Sequence, residues 1–426
     1  MKSSLLLLLA ASAISLSCKT DQVLVAPATT FPAKAVDAAP TAWGSLSGVS
    51  ISGGYGSAVM VDPRDPNSFY VMTDRGANVG TSVAGQLLFP IPSFNPNIAK
   101  YTLSGDSLRR VSVINLKNAA GINLTGIPNP AGVGGTNETA VGPGGVSLAL
   151  DPEGIDPEGL AIAPDGSFWV SDEYGPHIIH FDATGRTLER MNPFGTGAGG
   201  RRLPAVLGKR RPNRGMEGLA LTIDGKTLVG AMQSPLDNPT TALGRASNAH
   251  RILTVDVATG ATKQYVYVSD AVGTLISEIT AINSTEFLVI ERDGNFSGGT
   301  PAAVHKKVYK ISLSGATDVS DAADAAGGKV FTGKVLEALT PAERTAAGIT
   351  PVTKTLVLDL LTLPGGYPHD KLEGVTLVGS DMLVLANDDD FGVIDAGAAA
   401  IAPKLLPSGS RDRLTLYFVK LAAPLR

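Results

Sequence analysis

Carboxylates recur in this chain at the starts of short apolar runs, and a set of them at equivalent places could do chemistry. Glu158, Glu217, Glu278 and Glu373 each open such a run: Glu158-Gly159-Leu160-Ala161, Glu217-Gly218-Leu219-Ala220, Glu278-Ile279-Thr280-Ala281 and Glu373-Gly374-Val375-Thr376. One strand-length later a second apolar run ends in polar residues, at Asp172, Gln233, Glu291 and Asp388, and an earlier run ends at Asp74-Arg75 with no leading glutamate. Carboxylates gathered at one place raise one another's pKa, so the group needs a hard cation or basic side chains beside it. Arg75, Arg214, Arg292 and Lys371 stand next to these acids in sequence. An acidic ring interleaved with Arg and Lys fits a site that holds a divalent cation and an oxyanion together, since Arg presents a fork to phosphate.

The expected metal ligands are therefore Glu158, Glu217, Glu278, Glu373 and Asp172, with calcium as the ion. Glu158, Glu217, Arg75, Arg214 and Tyr174 are the expected catalytic groups, and Arg292, Lys371, Asp74 and Asp388 the expected substrate contacts. A glutamate at a strand start could instead accept a backbone N–H from a neighbouring unit, and Asp165 and Asp224 read as turn residues. His177, His180 and His369 lack metal-type spacing. No Gly-x-Ser-x-Gly elbow or P-loop is present.

Positioning these groups requires repeated units. Each pair of apolar runs continues as two more strands, as in His177–Asp182, a Thr184-Gly185 turn and Arg186–Met191. Period-two alternation with Asp-Gly and Thr-Gly turns reads as four-stranded antiparallel meanders, and such units repeated radially make a β-propeller. The equivalent residues Asp172, Met232 and Glu291 recur about 60 residues apart, while the gaps on either side are longer and could hold further units. The expected fold is all-β, a propeller of six or seven blades with loop insertions and one short helix. The last strand, Arg413–Lys420, is expected to close the ring near Val49–Ser52. Insertions fall at 116–148, at 193–213 with its five basic residues, and at 316–355, where Thr340, Pro341 and Glu343 begin the helix.

The chain has 426 residues, 43% hydrophobic and 17% charged, with 49 glycines and 28 prolines scattered through it. That supplies ample core and many turns, and the net charge of −4 points away from a nucleic-acid partner. Lys2, the run Leu5–Leu9 and the small residues ending at Cys18 have the layout of a secretory signal. Cys18 is the only cysteine and stands where a bacterial lipobox places the lipidated residue; an ordinary cleaved signal is the alternative. Residues 1–18 are thus read as a lipoprotein-type signal, 19–44 as a tether and 45–426 as the propeller. Export with membrane contact only through a lipid on Cys18 is expected, and a monomer.

Five stretches resemble the bacterial "esterase-like activity of phytase", or phytase-like, family. They are Met72–Gly76, Asp156–Ala161, Val170–Pro176, Asn213–Ala220 and Lys371–Val375, of which Ser171-Asp172-Glu173-Tyr174-Gly175-Pro176 and Asn213-Arg214-Gly215-Met216-Glu217-Gly218 are the most specific. The resemblance implies one exported propeller-like domain and hydrolysis of phosphoesters or related esters. The chain departs from the acidic signature of the well-known propeller phytases; Asp321 to Asp324 matches it only superficially. A non-catalytic surface propeller that binds a ligand or protein, and a lactonase-like esterase, remain alternatives.

Overall fold

A computed structural model describes residues 35–426; residues 1–34, including the signal segment, Cys18 and most of the tether, lie outside the described residues. Alternating apolar residues between tight turns form antiparallel meanders, and five sheets share one plan. Sheet I comprises Tyr55–Asp62, Asp65–Thr73, Asn97–Ser104 and Ser107–Asn115. Sheet II comprises Pro157–Ile162, Phe168–Asp172, His177–Phe181 and Thr187–Met191. Sheet III comprises Met216–Leu221, Thr227–Met232, Ala249–Asp256 and Thr262–Val268. Sheet IV comprises Leu275–Ala281, Glu286–Arg292, Lys306–Ser312 and Thr353–Asp359. Sheet V comprises Gly374–Val378, Met382–Ala386, Thr415–Lys420 and, outermost, Val36–Asp37.

The first strands of sheets I to V lie against one another in order, and that of V lies against that of I, so the sheets close a ring. A separate apolar cluster fills each junction. Phe69, Val384 and Phe418 pack between V and I. Met72 and Leu160 pack between I and II, and Trp169 and Leu228 between II and III. Ile252 and Val289 join III to IV, and Ile290 and Leu385 join IV to V. Each sheet is therefore buried on both faces, which is why its strands read as nearly continuous apolar runs.

The meanders number five among the described residues, not six or seven. One long gap holds a mixed sheet of short strands, Val79–Gly80, Gln86–Leu88, Thr139–Val141 and Ser147–Leu148, in which 86–88 and 139–141 run parallel. The other holds the small hairpin Val330–Phe331/Lys334–Val335 and the helix Pro341–Ala346, inserted before the fourth strand of sheet IV. Thr340 and Glu343 form a reciprocal capping box on that helix. A second short helix, Thr241–Arg245, is capped by Thr240; at five residues it is too short for periodicity to reveal it.

Closure also differs from the sequence reading. Thr415–Lys420 pairs with Val36–Asp37, with Val36 opposite Leu416, while Val49–Ser52 pairs with Ala42–Leu46. The stretch read as tether up to residue 44 thus contributes to the ring, and Val36 and Ala38 are buried. Two paired residues carry no alternating pattern, but they cover an edge that would otherwise be open. Among the described residues no helix is long and apolar enough to cross a membrane.

Placing a carboxylate at Val36, which is 5% exposed, would bury an unpaired charge in the closing strand. Val36→Asp is expected to lower unfolding free energy by about 3 kcal/mol in urea titration, whereas Val111→Asp should change it by about 0.5 kcal/mol or less. Equal effects would show that the N-terminal strand does not hold the ring.

Candidate functional site

Three of the four glutamates that open the first strands sit at bulges. Register slips between Pro157 and Leu160, between Met216 and Gly218, and between Ile276 and Glu278. A bulge sets two residues opposite one and turns a side chain away from the regular pleat. The glycine that follows three of these glutamates answers a close approach, a Cβ on Gly374 lying 2.9 Å from Val59 N. A Cβ on Gly159 would lie 2.4 Å from the backbone nitrogen of Leu219, and one on Gly218 2.5 Å from that of Ile279. The next inner strand passes too near for any side chain.

All four glutamates are buried, and their charges act on one another. They nevertheless take different partners. Glu373 is ion-paired with Arg292, whose Nη2 is also 3.7 Å from Glu217 Oε1 and whose Nε donates to Ser277 Oγ at 2.6 Å. Burial and the neighbouring Glu373 push Glu217 up to about 8. Glu278 turns to the backbone, its Oε1 accepting from Ile279 N at 2.8 Å and Leu219 N at 3.3 Å. Asp172, expected as a fifth ligand, accepts from Asp156 N at 2.9 Å and Tyr174 N at 3.0 Å with Oδ1, and its Oδ2 faces His177 and Arg190 at 3.7 Å. Glu217, Glu278, Glu373 and Asp172 are absent from the lining of the open cavity at the mouth of the ring.

Glu158 does line that cavity, which has a volume of about 300 Å³. It is joined there by Asp156 and Glu173, and one oxygen of each lies within 4.8 Å of the others. Glu158 is 8% exposed and Glu173 6%, yet neither carboxylate has a hydrogen-bond or ion-pair partner among the described residues. Desolvation, then the charge of Glu217, pushes Glu173 up to about 8, and the same causes hold Glu158 well above the carboxylate range. Asp156 is also raised by burial, although Arg75 opposes this. Three buried acids open to a cavity, two of them unpartnered and the third, Asp156, held by Arg75, are suited to a hard divalent cation bound through oxygen.

Arg75 forms the adjoining wall. Its side chain reaches Asp156 Oδ2 at 3.5 Å, Glu138 at 3.1 Å, Asn213 at 3.2 Å and Asn78 at 3.1 Å. Tyr174 is wholly buried, and its hydroxyl donates to Gly126 O at 2.6 Å. It supports Arg75, whose guanidinium lies 5.6 Å from its ring centre, and does not face the cavity. Arg214 donates to Gln233 Oε1 at 2.8 Å, and neither it nor Arg292 lines the cavity. Lys371 does, with Nζ at 2.9 Å from Asp388 and 2.6 Å from Asp390. Asp74 borders the same cavity, pushed up to about 7 by burial and by Asp156, and its Oδ1 accepts from Gly76 N.

Sequence reasoning missed Asp156, Glu173, Asn213 and Asp390. Asp156 stands two residues before Glu158, so an extended backbone puts both on one side. Glu173 follows Asp172, and which of the two faces the cavity depends on register. Asp390 had no sequence signal: it begins three successive residues, Asp390, Phe391 and Gly392, at φ of 48°, 59° and 64°. For a phenylalanine this is a costly conformation, held by surrounding packing. Phe391 is wedged against Gly54, Trp43 and Phe94. A further acidic group, Asp270, Glu291 and His305, is satisfied by Lys354, whose Nζ lies 2.6 Å from both carboxylates.

Residues 51–391 match the family model described as phytase-like, esterase-like activity of phytase. A protein of Arthroderma benhamiae described as an uncharacterized secreted protein is 30% identical over 226 residues, covering 42% of this chain and 41% of its own length. The chain therefore spans less than half of that relative. Among solved structures, a PQQ-bound aldose sugar dehydrogenase from Streptomyces coelicolor is 14% identical with a TM-score of 0.32, covering 91% of this chain and 99% of that one. Virginiamycin B lyase from Staphylococcus aureus is 12% identical with a TM-score of 0.34, covering 87% and 95%. Overlap at this level assigns no activity to the chain.

The raised acids make stability depend on pH. Glu173 and Glu217 titrate near 8, Asp74 near 7 and Asp172 near 6, all above their ordinary values. Across that window the folded chain keeps protons the unfolded chain has released, so its stability falls as pH rises. Asp270 and Glu291, both lowered to about 2, are ionised in both states there and do not offset the loss. His177 and His250, held below their ordinary value by burial, act the other way up to about pH 6.5, so the melting temperature of chelator-treated protein is expected to decline between about pH 6.5 and about pH 8, and added Ca²⁺ to restore it at the upper end. A profile that is flat, or that rises, would contradict the protonated cluster.

Proposed function

For a chain that belongs to the phytase-like family, described by esterase-like activity of phytase, we propose an exported hydrolase of phosphoesters or related esters, acting at the mouth of a five-bladed propeller. A divalent cation, calcium in the first place, is held by Asp156, Glu158 and Glu173, an all-oxygen donor set. The observation that carries this reading is that Glu158 and Glu173 are buried, unpartnered and open to the same cavity. When bound there, the cation supplies polarisation of the ester and a more acidic water.

The chain's own residues do the rest. Arg75 is fixed by Asp156, Asn213, Asn78 and Glu138 and presents a rigid guanidinium to charge developing on the substrate. Lys371, held by Asp388 and Asp390, puts a second positive charge on the opposite wall. Glu173, with a pKa near 8 in the ion-free cluster, sheds its proton when the cation binds and then serves as a ligand. Glu217, Glu278, Glu373 and Arg292 support the axis behind the site and are not assigned to chemistry. The substrate is a small molecule, and one protomer contains every group required.

Export fits both the N-terminal layout and the description of the fungal relative as secreted. Lipidation of Cys18 would tether the domain to a membrane. Cys18→Ser is then expected to move the protein from the membrane to the soluble fraction of the producing cells; an unchanged distribution would refute the anchor.

Calorimetry should show one Ca²⁺ bound per chain. Glu173→Gln should weaken it by about tenfold or more, and Glu278→Gln should leave its affinity unchanged. Affinity should also rise with pH up to about 8, because the ligands must shed protons first. The catalytic reading is tested on aryl phosphates, inositol phosphate, aryl esters and a lactone, each with and without chelator. It fails if nothing in that set shows chelator-sensitive turnover.

A further inference from the structure

The cavity is strongly unbalanced in charge and has one apolar wall. Six acidic side chains border it (Asp74, Asp156, Glu158, Glu173, Asp390 and Asp395) against two basic ones, Arg75 and Lys371. Both bases are already engaged. Arg75 is held by Asp156 and Glu138, and Lys371 by Asp388 and Asp390. With a divalent cation in place, one oxyanion can be accommodated. A second or third would meet carboxylates with no free cation to face them, at a high electrostatic cost in a desolvated site.

The apolar wall comes from the segment that follows the strained residues. Phe391 and Val393 are 1% and 4% exposed, whereas Ile394 also borders the cavity and is 44% exposed. The hairpin Val393–Gly397/Ala400–Pro403 that carries them is tied across to the insertion in the long gap. Gly80 N donates to Asp395 Oδ2 at 2.9 Å, and Ala399 N donates to Gly80 O at 3.0 Å. The exposed isoleucine is therefore held at the border of the cavity by fixed contacts. A volume of about 300 Å³ also sits at the small end of ligand cavities.

Building on the cation site proposed above, we infer that the substrate is a small amphipathic ester with a single phosphoryl or acyl reacting group joined to an aryl or branched apolar group. The apolar group rests on Ile394, which sets specificity, and polyphosphorylated ligands are rejected. The reacting group faces Asp156, Glu158, Glu173 and Arg75, on the side away from Ile394.

Binding of non-hydrolysable probes to the Ca²⁺-loaded protein tests this without relying on turnover. By calorimetry, phenylphosphonate should bind about tenfold or more tightly than methylphosphonate. Methylenebisphosphonate, despite its second charged group, should bind no more tightly than methylphosphonate. Ile394→Asp should reduce the phenyl preference to about threefold or less, and Ile394→Val should keep most of it, with melting temperatures checking that both variants fold. Equal binding of the phenyl and methyl probes overturns the inference. So does tighter binding of the bisphosphonate, a preference that survives Ile394→Asp, or no binding of any probe. A phenyl preference without chelator-sensitive hydrolysis would remove the catalytic reading and leave this one standing. Hydrolysis without the preference would do the reverse.

Discussion

A carboxylate taken out of water must find a cation or a proton, and that requirement organises the mouth of this ring. The first strands of five sheets meet at a common axis and bring Glu158, Glu217, Glu278 and Glu373 into one electrostatic environment. Each solves the problem differently. Glu217 and Glu373 share Arg292, and Glu278 takes two backbone amides. Glu158 takes nothing from the protein, and with Asp156 and Glu173 it leaves a cluster to be completed from outside. The four glutamates differ by their partners: three are held by Arg292 or by backbone amides and Glu158 by none.

Backbone geometry makes the crowding feasible. Bulges lie at Glu158, Glu217 and Glu278, and glycine after Glu158, Glu217 and Glu373 lets the next strand pass at contact distance. The Glu-Gly pair thus serves packing and electrostatics together. Where glycine is replaced by Ile279, the glutamate beside it bonds back to its own strand and to the adjacent one.

The opposite side of the cavity is built by strain. Asp390, Phe391 and Gly392 adopt left-handed conformations in succession, at a cost of roughly 1–3 kcal/mol for each non-glycine residue. Packing of Phe391 between Trp43 and Phe94 maintains them. The result places Asp390 against Lys371 and Lys404 and starts the hairpin that carries Ile394 to the border of the cavity.

By itself the sequence determined that this is an all-β chain of four-stranded meanders, that acids gather at equivalent strand starts, and that its motifs are those of the phytase-like family. Period-two alternation, turn residues and the Glu-Gly strings are local, so they can be read one segment at a time. Only the tertiary structure decided the number of meanders, because residue spacing measures chain length and cannot separate a blade from the mixed sheet at 79–148. It also decided the closing strand, whose two paired residues at Val36–Asp37 carry no periodicity. Above all it sorted the acids: Glu173 entered the cavity where Asp172 was expected, and Arg214 turned to Gln233. Which carboxylate keeps a partner and which is left free depends on distances between strands far apart in the chain, and composition and spacing do not encode those distances.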